Sequence, residues 1–230
     1  MSGQDLSGKV AIITGANTEV AEAVGLALAR AGVGISLCGR QQDVLELAAA
    51  RITAAGGSCI TLPSNLDDLQ EAGVVVQRTL EAFGQVDILV MVSPFWAGGQ
   101  VHEHSLATWD LVLRANLREP FVISRAVLPL FREQKHGQVM AIGSDSAEGI
   151  YQRDGAYGVA MHALTTLVEL IREENAALGI RTHILSPGVA LSDEIGSDGL
   201  PSLTTHDVAE WALWLLSRPA HLRGNGSLLL

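Results

Sequence analysis

A turn with the chemistry to bind phosphate is the first candidate site in this sequence. Residues 14–21, TGANTEVA, lie between a short apolar run and a helical pattern. At that point of a strand–turn–helix unit, backbone N–H groups and the helix N-terminus hold the phosphates of a dinucleotide. The turn alone is a weak signal, so the elements that position it must decide its meaning.

Strand-like and helix-like patterns alternate along the whole chain. Apolar runs predict strands over 10–13, 34–38, 59–62, 88–92, 139–142 and 182–185, with a short edge strand over 226–230. Helical periodicity predicts helices over 19–31, 42–54, 69–83, 106–132, 156–178 and 206–217. This alternation favours a parallel sheet with helices on both faces. We predict a single doubly wound, Rossmann-type α/β domain over residues 1–230.

Composition excludes several classes of protein. The chain has 230 residues, of which 48% are hydrophobic and 17% charged, and its net charge is −10. Such a composition is globular, and the negative charge argues against a nucleic-acid partner. We find neither the apolar run of about 18 residues that a membrane span needs nor a secretory signal. The expectation is a cytoplasmic protein without a metal site, since the two cysteines lack ligand spacing and the pair His102 and His104 has no obvious third ligand.

Motifs further along the chain resemble those of the short-chain dehydrogenase/reductase superfamily. After the turn come Asn116 in an ANL triplet, Ser144, Tyr157 thirteen residues later, and a Ser-Pro-Gly triplet at 186–188. The resemblance covers nearly the whole chain. It implies an NAD(P)-dependent oxidoreductase in which Tyr157 protonates the substrate oxygen, Ser144 holds that oxygen and Asn116 supports the proton relay.

The catalytic set implied by this resemblance lacks its cation. The family has a lysine four residues after the tyrosine, and here that position is Met161, whose thioether carries no charge. An unperturbed tyrosine has a pKa of about 10, which makes it a poor acid or base at neutral pH. His162 lies on a different helical face, whereas Arg153 offers an alternative cation from the preceding loop.

The cofactor turn also departs from the family pattern T-G-x-x-x-G-x-G. Only Thr14 and Gly15 remain, with Glu19 at the position of the second glycine and Ala21 at that of the third, where alanine is tolerated. A carboxylate about 4 Å from a phosphate costs about 4 kcal/mol at an effective dielectric constant of about 20. That is an upper estimate of roughly a thousandfold in affinity, because the side chain can swing outward.

The remaining positions that would contact the cofactor agree with the family pattern only in part. The resemblance assigns nucleotide contacts to Asn17, Arg40, Asn65 and Ser192. Arg40 follows a glycine at the end of the second strand, which favours NADP over NAD, although a solvated surface arginine is an equal alternative. The tetrapeptide MVSP at 91–94 replaces the family's Asn-Asn-Ala-Gly. We expect NADP as the cofactor, with weak or absent binding.

Two functions remain open, together with a third that has less support from the residues. The first is a degenerate subunit that pairs with itself or with an active paralogue, and the second is a diverged NADP-dependent oxidoreductase acting on a carbonyl or hydroxyl group. The third is chemistry without hydride transfer, with the pair Ser144 and Tyr157 as proton donor. The segment from Gly188 to Asp207 is short for a substrate lid.

An oligomer is expected in either case. An apolar stripe at three- and four-residue spacing fits a helix interface or the domain core, and its members are Ala160, Leu164, Leu167, Val168 and Ile171. A second pair, Trp211 and Trp214, also favours core or interface packing over ligand stacking. A symmetric dimer or tetramer would bury any remaining apolar surface.

Overall fold

The strands form where the sequence has short apolar runs. A computed structural model describes residues 4–188, 203–219 and 227–229. Within them the strands are Val10–Thr14 (β1), Gly34–Gly39 (β2), Cys59–Pro63 (β3), Ile88–Val92 (β4), Gly137–Ile142 (β5), Ile180–Ser186 (β6) and Ser227–Leu229 (β7). All residues of β1, β4 and β5 are buried, as expected for central strands covered on both faces.

The helices that follow these strands begin at identifiable caps. They are Glu19–Arg30 (α1), Gln42–Ala54 (α2), Leu69–Phe83 (α3), Leu106–Leu113 (α4), Glu119–Gln134 (α5), Gly155–Asn175 (α6) and Thr205–Leu216 (α7). The side chains of Thr18, Asp68 and Ser105 accept backbone N–H groups at the starts of α1, α3 and α4. Each of these hydrogen bonds satisfies donors that have no partner within the helix.

The sheet order is β3-β2-β1-β4-β5-β6-β7, and every neighbouring pair is parallel. Helices α1, α2 and α7 contribute to one hydrophobic core and α3, α5 and α6 to the other. The predicted doubly wound fold is therefore confirmed. Strand order reverses between β1 and β4, and in such sheets ligands bind outside the carboxyl ends of the strands at this point.

One long predicted helix is interrupted. The pattern over 106–132 predicts a continuous helix, whereas the structure has a π-helical segment, Arg114–Arg118, between α4 and α5. The Glu119 N–H bonds to the Arg114 carbonyl, five residues back. This extra residue in the turn changes which side chains face the sheet, and such insertions often mark functional sites.

The apolar positions of α6 and α7 separate into core and surface. Four members of the predicted stripe on α6 are fully buried, and they are Ala160, Leu164, Val168 and Ile171. Trp211 and Trp214 are partly exposed and pack edge to face, with ring centroids 5.6 Å apart. The stripe thus belongs to the core, whereas the tryptophan pair lies at the surface, and its packing in an interface stays a prediction.

Candidate functional site

The turn after β1 is held tightly against the sheet. Gly15 has φ +65°, and a Cβ added there would stand 2.4 Å from the Val92 carbonyl oxygen. Thr18 donates to the Gly15 carbonyl (2.9 Å) and accepts from the Ala21 N–H (3.2 Å). Only glycine fits such a position without strain. The close approach to β4 explains Gly15 as a structural requirement, whether or not a phosphate binds.

The two departures in the turn have different surroundings. Glu19 is the first residue of α1 and is exposed, at the helix end where a phosphate would sit. Its carboxylate interacts favourably with the helix dipole, and it therefore takes the electrostatic role that an anionic ligand would have. Ala21 is fully buried in the core, and its methyl group fills the space between helix and sheet.

A cleft opens at the carboxyl ends of β1, β2 and β4. It has a volume of about 300 Å³ and is lined by residues that include Gly15, Asn17, Gly39, Arg40 and Pro94. These residues come from three different strand ends, and so the sheet itself shapes the cleft. The predicted nucleotide contacts Gly15, Asn17 and Arg40 are thus brought together.

Two predicted contacts lie beside the cleft rather than along it. Thr14 ends β1 and is buried. Asn65 is exposed, and its backbone N–H donates to Glu71 at 2.5 Å, while its neighbours Ser64 and Leu66 line the cleft. The chain after β3 therefore lines the cleft with Ser64, whose hydroxyl donates to the Leu62 carbonyl, and with the buried Leu66.

Arg40 is already paired within the chain. Its guanidinium forms a hydrogen-bonded ion pair with the carboxylate of Glu119, the first residue of α5. Burial raises the pKa of Glu119, and the charge of Arg40 and its hydrogen bond oppose that effect. Both side chains line the cleft, and the pair joins two of its walls.

Asn116 forms a link between the π-helical segment and the loop after β4. Its side chain is fully buried, accepts from the Phe95 N–H at 3.3 Å and donates to the Phe95 carbonyl at 2.5 Å. The π turn directs the amide inward, towards this loop. Asn116 therefore positions one wall of the cleft by holding both backbone polar groups of a single residue, Phe95.

Ser144 and Tyr157 meet at the end of β5. Ser144 donates to the Asp145 Oδ1 atom at 2.9 Å and accepts from the Ser146 N–H at 3.2 Å. Burial raises the pKa of Tyr157, a hydrogen bond with Ser144 lowers it in part, and the charges of Asp145 and Asp154 raise it further. A serine has one hydrogen to donate, and here it is directed to a carboxylate.

The structure supplies no cation to Tyr157 from the positions considered. Met161 is buried, and a Cβ at Gly143 would lie 3.4 Å from its sulfur. Arg153 lies 3.7 Å from Glu103 and is exposed, and no effect of Arg153 contributes to the raised pKa of Tyr157. His162 faces the Gly158 carbonyl at 2.9 Å. In this geometry Arg153 pairs with Glu103, and its role as the alternative cation stays a prediction.

Three further expectations from the sequence concern Ser192 with its segment, metal ligands and membrane-spanning helices. Ser192 and the shortened segment around it, residues 189–202, lie outside the described residues. Where the chain is described, no three side chains of histidine, cysteine, aspartate or glutamate gather as metal ligands. None of the helices placed in the structure has the length and apolarity to cross a membrane.

Sequence reasoning missed the acidic residues of this site. Glu119, Asp145 and Asp154 act on Arg40, Ser144 and Tyr157, but none belongs to a motif. Asp145 directly follows Ser144, which is a signal that could have been read from the sequence. Glu119 lies 79 positions after Arg40, and only the fold brings the two together.

Comparison with known proteins decides the family. The family model for short chain dehydrogenases matches residues 9–197. The chain belongs to the short-chain dehydrogenase family. Two relatives of this dehydrogenase-family chain are uncharacterized oxidoreductases of Staphylococcus haemolyticus and Staphylococcus saprophyticus, 26% and 28% identical, each aligned over 96% of both chains.

Solved structures agree with this family and fold. An alcohol dehydrogenase from the archaeon Thermococcus sibiricus, complexed with 5-hydroxy-NADP, is 26% identical with a TM-score of 0.85, over 96% of this chain and 95% of that one. The chain therefore has the short-chain dehydrogenase fold over nearly its whole length.

A nicotinamide nucleotide fits this site unevenly. The adenosine end has a cleft of about 300 Å³ with Arg40 in its lining. The pyrophosphate position has Glu19 at the helix start, and the position of the ribose-binding lysine has the apolar, buried Met161. The residues fit at one end and not at the other two, and no reaction step through the nicotinamide follows from them.

Proposed function

We propose that this member of the short-chain dehydrogenase family is a catalytically degenerate subunit, which binds NADP weakly and pairs with itself or with an active dehydrogenase paralogue. The observation that carries the proposal is the set of contacts around Tyr157. Asp145 takes the Ser144 hydrogen, and Asp145 and Asp154 add to the rise in the pKa of Tyr157. A phenol in these surroundings stays protonated and donates its proton poorly.

Restoring the cation tests the proposal directly. Met161 lies one helical turn after Tyr157, and side chains four residues apart share a helix face. We predict that Met161→Lys raises kcat/KM for NADPH-dependent carbonyl reduction at least tenfold and moves the pH profile downward, because an ammonium group favours the phenolate. Met161→Leu, which keeps the site apolar, is the matched control and should leave the low activity unchanged.

A second candidate is a diverged NADP-dependent oxidoreductase acting on a carbonyl or hydroxyl group. The observation that favours it is the cleft with Arg40 in its lining, together with the retention of Ser144, Tyr157 and Asn116 in the sequence. Rapid carbonyl reduction by the unmodified protein near neutral pH would replace the first proposal with this one. A response of Met161→Leu equal to that of Met161→Lys would also remove the electrostatic argument.

The pairing part of the proposal has its own experiment. Co-expression of this chain with a catalytically complete short-chain dehydrogenase encoded nearby should yield particles that contain both chains, separable by tags on each. Shared ancestry preserves the shape of the helical faces that such subunits use. Strict homo-oligomers beside the co-expressed protein would remove the heteromeric partner and leave self-association.

A further inference from the structure

The ion pair between Arg40 and Glu119 lies where an adenosine group would meet the protein. Both residues line the cleft, Arg40 from the end of β2 and Glu119 from the start of α5. The Glu119 side chain is only 16% exposed, compared with 49% for Arg40. A mostly buried carboxylate that loses its cation is costly, and so Glu119 resists giving up Arg40 to a ligand.

The neighbouring charges do not offer a replacement for Arg40. Asp67 lies 3.4 Å from the Arg114 Nε atom and also pairs with Arg118. The charge of Asp67 raises the pKa of Glu119 while that of Arg114 lowers it. Asp67 therefore pairs with both nearby arginines, neither of which lines the cleft, whereas Arg40 does.

We infer that Glu119 determines specificity at the adenosine end of the cleft, by holding Arg40 across it and so disfavouring a nucleotide with a phosphate on the 2′-hydroxyl. A 2′-phosphate must break the ion pair to reach Arg40, and it then lies close to the freed carboxylate. An adenosine with a free 2′-hydroxyl brings no such charge and leaves the pair closed. The inference extends the weak NADP binding proposed above but requires no turnover.

Fragments of the nucleotide test this without any chemistry at Tyr157. The probes are adenosine 2′,5′-bisphosphate and 5′-AMP, titrated by calorimetry into the full chain at low salt. Glu119→Gln keeps the shape and removes the charge, and it should tighten the bisphosphate at least tenfold, or about 1.4 kcal/mol. Binding of 5′-AMP should change less than threefold, because that probe lacks the 2′-phosphate.

The control is a second ion pair of similar exposure outside the cleft. Glu22 accepts two hydrogen bonds from Arg51, at 2.7 and 2.9 Å, and its side chain is 20% exposed. Glu22→Gln should leave both titrations unchanged. Arg40→Met combined with Glu119→Gln should abolish the gain, because no cation then remains to meet the 2′-phosphate.

The outcomes separate this inference from the proposed function. The role of Glu119 is overturned if Glu119→Gln leaves the ratio of the affinities for the bisphosphate and for 5′-AMP unchanged. It is also overturned if that variant does not bind the bisphosphate at millimolar concentration. If Glu119→Gln fails to fold, as judged by circular dichroism, Glu119→Ala takes its place in the same titrations. The activity of Met161→Lys is independent of all these results, and so failure of one experiment leaves the other intact.

Discussion

At the scale of single residues, Glu19 has the largest expected effect on nucleotide affinity. We predict that Glu19→Gly combined with Ala21→Gly tightens NADPH binding at least tenfold, because it removes a carboxylate from the helix end that would face the pyrophosphate. Titration followed by NADPH fluorescence measures the change. Glu22→Gly adds similar flexibility to α1 but keeps Glu19, and it should leave the affinity as it was. Micromolar affinity in the unmodified protein would contradict the prediction.

His183 is a second residue with a measurable effect, here on stability. It is buried, its Nε2 atom lies 3.1 Å from the Gln138 Oε1 atom, and burial followed by the charge of Arg181 lowers its pKa from 6.5 to about 4. Between these two pH values the unfolded chain binds a proton that the folded chain does not. Stability is therefore retained above pH 6.5 and falls as the pH drops towards 4, by about 3 kcal/mol in all.

Denaturant unfolding at several pH values between 7 and 4 measures this loss. His183→Asn retains a donor for Gln138. This variant should lose the part of the pH dependence of the free energy of unfolding that His183 causes, whatever the stability of the variant at pH 7. His206 is exposed on α7, and so His206→Asn should keep the slope of the unmodified protein. An equal slope in His183→Asn and the unmodified protein would assign the loss to other groups.

At the scale of elements, Asn116 joins the π-helical segment to the loop after β4. We predict that Asn116→Ala lowers the free energy of unfolding by about 1–3 kcal/mol, because it leaves the partly buried N–H and carbonyl groups of Phe95 without their Asn116 partner. Thermal and urea unfolding measure the change. Asn65→Ala alters an exposed asparagine and should change stability by less than about 0.5 kcal/mol. Equal effects of the two substitutions would show that the link contributes little.

At the scale of the whole molecule, the outer face of α5 and α6 leaves apolar surface uncovered. Phe121 is 47% and Leu170 53% exposed, and a groove of about 370 Å³ between the helices is lined by these two residues together with Leu128 and Pro129. The earlier stripe of α6 is used by the core. The interface prediction therefore moves to this adjacent face.

Size-exclusion chromatography with light scattering tests that interface. We predict a dimer or tetramer for the unmodified chain at micromolar concentration, and a monomer for Phe121→Glu combined with Leu170→Glu, because buried carboxylates without partners are costly. Leu47 on α2 is 63% exposed, and Leu47→Glu should keep the assembly. A stable monomer of the unmodified chain would contradict the prediction.

The sequence by itself determined the order of the strands and helices, and with them the doubly wound sheet. Strand runs such as 88–92 and helices such as 42–54 and 69–83 agree with the structure to the residue. Periodicity is a local property, because it reflects which side of an element meets the sheet. The sequence also shows that position 161 is methionine instead of lysine and that position 19 is glutamate instead of glycine. Both can be read because each position lies at a fixed distance from a motif.

Only the tertiary structure decided what the charged residues do. From the sequence, Arg40 is expected to contact either a ligand or solvent. The fold instead places it in an ion pair with Glu119. The interruption at Arg114–Arg118 changes the direction of the side chains on either side of it, which no period of 3.6 residues predicts. Ion pairs between distant positions depend on the geometry of the whole sheet, because the fold alone brings such residues within reach of each other.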